Sequence, residues 1–132
     1  MENKIVVHLK DGTIHKGVTH DFQTTVESFH LLPGEGGGVP LRIKIDDMKA
    51  LFYVKDYIGN RDFVARQRFA EAHASQRKAV VQFKDGEEIW GVLGDGVDDG
   101  GLGFFFYPAD ERDNNIRIFV NRSAMEGMRL VD

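Results

Sequence analysis

An internal repeat constrains the fold of this chain more than any other feature of its sequence. Lys4–Gly12 (KIVVHLKDG) returns as Lys78–Gly86 (KAVVQFKDG), and Gly17 and Gly91 follow at the same distance. Three later blocks recur in the same order: Ser28–Pro33 with Gly103–Pro108, Leu41–Ile45 with Ile116–Val120, and Tyr53-Val54 with Leu130-Val131. Four blocks in one order indicate a duplicated module rather than chance similarity.

Each copy has the pattern of a small β domain. Runs of β-branched and aromatic residues alternate with Asp-Gly and Gly-rich stretches, which predicts about five short strands per copy and no helix inside either copy. Residues 56–77 differ in character, because Asn60 can cap a helix over residues 61–72. We therefore predict a mostly β protein with two tandem five-stranded SH3-like barrels, residues 1–55 and 78–132, joined by a linker with a helix, residues 56–77.

The first hairpin of each copy has two candidate registers. Asp11-Gly12 and Asp85-Gly86 supply the positive φ of a tight turn, so the flanking strands are expected to pair in antiparallel fashion. A two-residue loop places His8 opposite His15, whereas a three-residue loop with a bulge turns His15 towards the face of Val7. We favour the bulged form, because it brings the second-copy counterpart of His15 into the core.

These segments resemble a known family. Leu9–Gly12 with Gly17 resembles the first Sm motif, in which a strand, a glycine turn and a bent second strand open a five-stranded barrel. Val120–Met125 resembles the short turn between strands four and five of Sm-like proteins, including the Hfq-like RNA chaperones. The chain is also similar, through Lys16–Phe22 and Phe29–Pro33, to a family of uncharacterised bacterial proteins. The resemblance implies Sm-like barrels and brings no activity with it.

Nucleic-acid binding is the alternative function that this resemblance suggests. Its candidate residues are Arg42, Lys44, Arg117, Asn121 and Arg122. Two features argue against it, because the net charge is −4 and Asp46-Asp47 occupies the turn where RNA-binding members carry a Lys-His pair. A groove between the barrels suggests a weaker alternative, small-ligand sensing, with Trp90, Phe104 and Phe106 as candidate lining residues.

No catalytic, metal or cofactor site is predicted. The Gly-rich stretch 34–38 is followed by a strand instead of the helix that a phosphate loop requires. Asp95, Asp98 and Asp99 lack the spacing of a calcium loop, and the histidines at positions 8, 15, 20 and 30 have no counterparts in the second copy. Asn121–Gly127 carries one residue more than the motif of PilZ cyclic-di-GMP receptors, which leaves cyclic-di-GMP sensing as a remote alternative.

The sequence thus favours a non-enzymatic binding or assembly module. Its partner is expected to be another protein or a second copy of the chain, since fused modules can pair internally and leave one edge strand at each end. No run is long enough to span a membrane, the start lacks a secretory signal, and the chain has no cysteine. These features predict a cytoplasmic location.

Overall fold

The computed structural model describes residues 4–33, 38–57, 77–98, 101–110 and 113–131. These residues form ten strands and two short 3-10 turns. The strands are β1 Ile5–Leu9, β2 Ile14–Val18, β3 Ser28–Pro33, β4 Leu41–Lys44, β5 Met48–Val54, β6 Lys78–Phe83, β7 Glu88–Leu93, β8 Gly103–Pro108, β9 Asn115–Asn121 and β10 Met125–Val131. The turns Ile45–Asp47 and Arg122–Ala124 connect β4 to β5 and β9 to β10. The predicted linker helix lies outside the described residues.

All ten strands belong to one antiparallel sheet, in the order β10-β6-β7-β8-β9-β5-β1-β2-β3-β4. The mostly β prediction is confirmed, but the prediction of two closed barrels is wrong. Closing each half into a barrel would require its fourth and fifth strands to pair with each other. Instead β9, the fourth strand of the second half (β6–β10), pairs with β5, the fifth strand of the first half (β1–β5). The two halves therefore share one open sheet.

The first hairpin of each half takes the bulged register. Val7 lies opposite His15, and the equivalent residues Val81 and Ile89 lie opposite each other. The turn glycines Gly12 and Gly86 have φ values of 93° and 96°, which L residues with side chains rarely adopt. In each turn the aspartate accepts a hydrogen bond from the backbone N–H two residues later, which holds the loop in this form.

A glycine in the second strand allows the third strand to approach closely. A Cβ atom on Gly17 would lie 2.1 Å from the carbonyl oxygen of Leu32, and one on Gly91 would lie 2.1 Å from that of Tyr107. Any side chain at these positions would collide with the neighbouring backbone. The predicted bend at both glycines thus has a steric cause.

Two apolar clusters form the core, and each contains residues of both halves. The first cluster is built mainly on Ile5, Val7, Phe29 and Leu51, and it includes Phe119 from β9. The second cluster contains Phe83, Phe104, Phe106, Ile118 and Val120 of the second half together with Val6, Ala50, Phe52 and Val54 of the first. Burial of these side chains joins the halves by the hydrophobic effect as well as by backbone pairing.

The sequence alignment of the fourth strands is wrong by two residues. Leu41 pairs with Leu31 in the first half, and Ile118, not Ile116, pairs with the equivalent Phe106 in the second. Leu31 and Phe106 are equivalent because Pro33 and Pro108, two residues after them, lie opposite Gly17 and Gly91. The corrected alignment is Leu41 with Ile118, Arg42 with Phe119, Ile43 with Val120 and Lys44 with Asn121.

Candidate functional site

The β5–β9 junction is the most strongly built contact between the halves. Ala50, Leu51 and Phe52 lie opposite Val120, Phe119 and Ile118, and all six side chains are buried. Successive side chains of a strand point to opposite faces, so each strand contributes to both cores. Phe119 packs its ring edge-on to Phe22 and Phe105, with centroids 5.1 and 5.5 Å away. The junction therefore has the packing of a protein interior.

Lys49 forms an ionic contact across this junction. It lies in a β-bulge of β5, and its ammonium is 2.7 Å from Asp85 and 2.5 Å from Glu87, in the first hairpin of the second half. Only 11% of the Lys49 side chain is exposed, against 53% and 51% for the two carboxylates. The ammonium also lies 4.7 Å from the ring centroid of Phe83. A single cation from the first half is thus bound by three groups of the second.

Titration of these groups reflects this arrangement. Burial by itself lowers the pKa of Lys49, but the hydrogen bonds and charges of Asp85 and Glu87 outweigh it, and the net effect raises the pKa. The hydrogen bond from Lys49 lowers the pKa of Asp85. Burial and the neighbouring Lys49 cation lower the pKa of His8. At neutral pH the site therefore contains a charged lysine and a neutral His8.

Two of the five candidate nucleic-acid residues, Asn121 and Arg117, are held in contacts within the fold. Asn121 is 2% exposed and donates to the carbonyl oxygens of Ile45 and Met48, at 2.8 and 2.7 Å. Arg117 stacks between Tyr53 and Phe105, 4.2 and 4.5 Å from their ring centroids. The amide of Asn121 and the guanidinium of Arg117 are therefore occupied by contacts within the protein.

Arg122, Arg42 and Lys44 have different surroundings. Arg122 donates to the carbonyl oxygens of residues 96, 97 and 101, and so it holds the loop before β8. Arg42 and Lys44 are exposed on β4 beside a surface hollow of about 390 Å³, whose lining includes Glu27 and Asp46. Two cations and two carboxylates share this hollow, which weakens its attraction for a phosphate backbone.

Of the three candidate ligand-groove rings, Trp90 alone is accessible. Phe104 and Phe106 are fully buried in the second core cluster. Trp90 is half-buried on the opposite face of β7, where the guanidinium of Arg129 lies 5.3 Å from its ring centroid. The three aromatic residues are therefore not brought together around one cavity.

The histidines do not converge either. His8 lies against Phe52, whereas the Nδ1 atom of His30 is 2.7 Å from a carboxylate oxygen of Asp21. Asp21 also accepts from the backbone N–H of His30 and from the hydroxyl of Thr19, and so it holds the β2–β3 loop against β3. Among the described residues, no group of three or more His, Asp or Glu side chains is placed to hold a metal ion.

The two ends of the sheet differ from its junction. Among the described strands, β4 and β10 each have one neighbour, so one side of each backbone carries no described ladder partner. Leu41 on β4 is 36% exposed, and Met128 and Leu130 on β10 are 37% and 61% exposed. Leu51 and Tyr53, the equivalents of Met128 and Leu130 in β5, are buried. Within the described part of the chain, the terminal strands therefore combine backbone groups that have no ladder partner with exposed apolar side chains, as strand-docking sites do.

Sequence reasoning missed Lys49 and the Asp21–His30 pair. A signal for the first was present, since Lys49 is the one charged residue in the otherwise apolar run from Met48 to Val54. A lysine at such a position usually has a specific partner. Asp21 and His30 lie nine residues apart on either side of a loop, and no periodic pattern connects them.

Comparisons with known proteins add a family. A family model described as a family of unknown function (DUF6982) matches residues 1–132, the whole chain. No curated protein and no solved structure matches this chain. Within the described ranges, no helix has the length and apolarity needed to cross a bilayer.

Proposed function

Because the chain belongs to the family of unknown function DUF6982, which carries no activity to transfer, we propose from the structure that it is a non-enzymatic protein-binding module. Binding takes place through the terminal strands β4 and β10, each of which accepts an extended strand of a partner. The observation that carries the proposal is the exposure of Met128 and Leu130 on the terminal strand, at positions that are buried in the equivalent strand β5.

The strand arrangement supports a finer assignment, two Sm-like modules in tandem. Both halves have the same order, with the fifth strand beside the first and the fourth strand at the far end. A 3-10 turn connects the fourth and fifth strands of each half. A chain without cysteine suits a reducing compartment, and we place the binding in the cytoplasm.

Site-specific photo-cross-linking in living cells tests the proposal. A photoreactive amino acid is introduced in place of Leu41 on β4 or Leu130 on β10, with Ile14 on the interior strand β2 as control, since it is 51% exposed. We expect discrete protein adducts at the two edge positions and none at the control. We also expect Met128→Asp to abolish the adducts at position 130, because it places a charge beside the exposed apolar side chain of Leu130.

Three results would overturn the proposal. The first is adduct formation at Ile14 equal to that at the edges, and the second is an absence of adducts at both edges. The third is nucleic acid that co-purifies with the protein and is released by Arg42→Glu or Lys44→Glu. Such release, together with a steep salt dependence, would establish nucleic-acid binding in its place.

A further inference from the structure

The β5–β9 junction indicates which contacts a second copy of the chain would make if it paired with a terminal strand of the sheet. In strand order and register β10 is the equivalent of β5, and β4 is the equivalent of β9. If β10 of a second copy paired with β4 in the register of the junction, its Gly127 would lie opposite Ile43. The chemistry of this contact follows by replacing each junction residue with its equivalent.

The ionic contact of the junction is reversed at the edge. Lys49 and Glu126 both occupy the bulge of a fifth strand, while Asp85 and Asp11 occupy the same position in the Asp-Gly turns. Thr13 replaces Glu87, the second carboxylate partner of Lys49. Glu126 of a second copy would therefore face Asp11, where Lys49 faces Asp85. An attraction in a nearly buried position becomes a repulsion between two carboxylates.

The other equivalent positions provide little compensation. Arg129 replaces Phe52 and Arg42 replaces Phe119, so two buried rings of the junction become cations. Lys44 replaces Asn121 and would take the position from which Asn121 donates to the carbonyl oxygens of Ile45 and Met48. Lys10, the equivalent of Lys84, would lie in the same hollow as Glu126, but it already binds Ser123 and lies beside Asp46. One further attractive pair would be Lys84 with Asp46, where Lys10 approaches Ser123 in the junction. The Asp46 side chain is 88% exposed, and an ion pair at such a site contributes little.

We infer that the charge at position 126 selects the partner of the β10 edge: it excludes a second copy of this chain and admits a protein strand whose adjoining hairpin turn carries a lysine or arginine in the place of Asp11. The inference rests on the proposed function, since it specifies the occupant of one of its two edges. Lys49 performs the same selection inside the chain, where it accepts the acidic turn of the second half.

A charge-swap series tests the inference with the full chain as its own probe. Glu126→Lys restores the junction pairing at the edge, because a lysine then faces Asp11. Asp11→Lys places the lysine on the turn instead, where it faces Glu126 of the next copy. This variant therefore carries the basic turn that we assign to the natural partner. The double variant, Asp11→Lys with Glu126→Lys, makes two lysines face each other and so restores a repulsion. Glu88→Lys makes the same change in net charge as Glu126→Lys on the interior strand β7, which has a neighbouring strand on each side.

Sedimentation velocity and light scattering over a range of chain concentrations measure the association. We expect head-to-tail association of each single variant at least tenfold tighter than that of the wild type, the double variant and the Glu88 control. We also expect wild type mixed with the Asp11 variant to form mixed assemblies. Because Asp11 accepts a hydrogen bond within its turn, circular dichroism checks that the Asp11 variant is folded. Glu126→Lys does not alter this turn and so tests the inference independently.

Two results would overturn the inference. One is single variants that associate no more tightly than the wild type, and the other is a wild type that already forms head-to-tail assemblies insensitive to these charges. Neither result affects the cross-linking test, since adducts at Leu41 and Leu130 depend on partner proteins of any charge. Loss of those adducts would instead remove the proposed function itself.

Discussion

Replacing Lys49 with methionine tests whether the ionic contact stabilises the junction. Methionine retains most of the volume of the lysine stem over Phe83 but removes the ammonium, and with it two charge-assisted hydrogen bonds to Asp85 and Glu87. Hydrogen bonds to charged groups contribute about 1.5–3 kcal/mol each. The carboxylates are half-exposed and regain water in the variant, so part of this free energy is recovered. We expect Lys49→Met to lower the free energy of unfolding by about 2 kcal/mol.

Urea unfolding followed by the fluorescence of Trp90 measures this change, with Lys84→Met as the control. Lys84 is exposed on the same hairpin turn, and we expect its replacement to change stability by less than about 0.5 kcal/mol. In double-mutant cycles, Lys49→Met combined with Asp85→Asn or Glu87→Gln should show a coupling energy of about 1 kcal/mol in each case.

The same contact predicts a dependence on pH. Asp85 has a lowered pKa in the folded chain, so its stabilising contribution is present above its ordinary value of 3.8 and is lost as the pH falls through the lowered value. Lys49 has a raised pKa, so its contribution is lost only as the pH rises above its ordinary value of 10.5. The wild type and the Lys49 variant should therefore converge in stability in acid. A Lys49 variant as stable as the wild type at neutral pH, or a difference that persists unchanged at low pH, would refute this account.

Four other substitutions test the packing and the loop. Phe119→Ala removes from the junction a ring that is 1% exposed, and it should lower the free energy of unfolding in urea by about 3–5 kcal/mol. Gly91→Ala should prevent folding or lower the melting temperature sharply, whereas Gly127→Ala, where a Cβ atom meets nothing within 4 Å, should be nearly neutral. Burial by itself raises the pKa of Asp21, but the hydrogen bonds from His30 and Thr19 outweigh this effect and lower the pKa overall. Asp21→Asn should thus remove a stabilisation that the wild type loses below pH 3.8, as acid titrations of both would show.

Local features of the fold were predictable because their causes are local. The Asp-Gly turns determine the hairpin register through backbone geometry within five residues, and Gly17 and Gly91 mark the bends by their missing side chains. Pairing of β5 with β9 is different, because it joins residues 61 to 70 positions apart in the sequence and competes with closure of each half. An alternating pattern shows which face of a strand is buried and does not specify its neighbour.

The two-residue error in the fourth strands has the same origin. Side chains on a strand alternate with a period of two, so a shift by two residues leaves every inward position inward. Matching Ile43 to Ile118 therefore fits the apolar pattern as well as the correct match to Val120. Only the backbone pairing with β3 and β8 distinguishes the two alignments. As a result, the equivalence of Arg42 with the buried Phe119 could not be recognised from the sequence.

That equivalence explains why two halves with one strand order differ in chemistry at their boundaries. A fourth strand that is covered by a neighbour gains stability from a phenylalanine at this position, and β9 has Phe119 there. A fourth strand at the end of a sheet exposes the same position to water and to other chains, where an apolar ring would promote uncontrolled pairing. β4 has Arg42 instead, and the fifth strands show the same substitution in Phe52 and Arg129. Charge is thus placed where the sheet ends, and its sign at Glu126 provides the means to discriminate among the strands that could extend it.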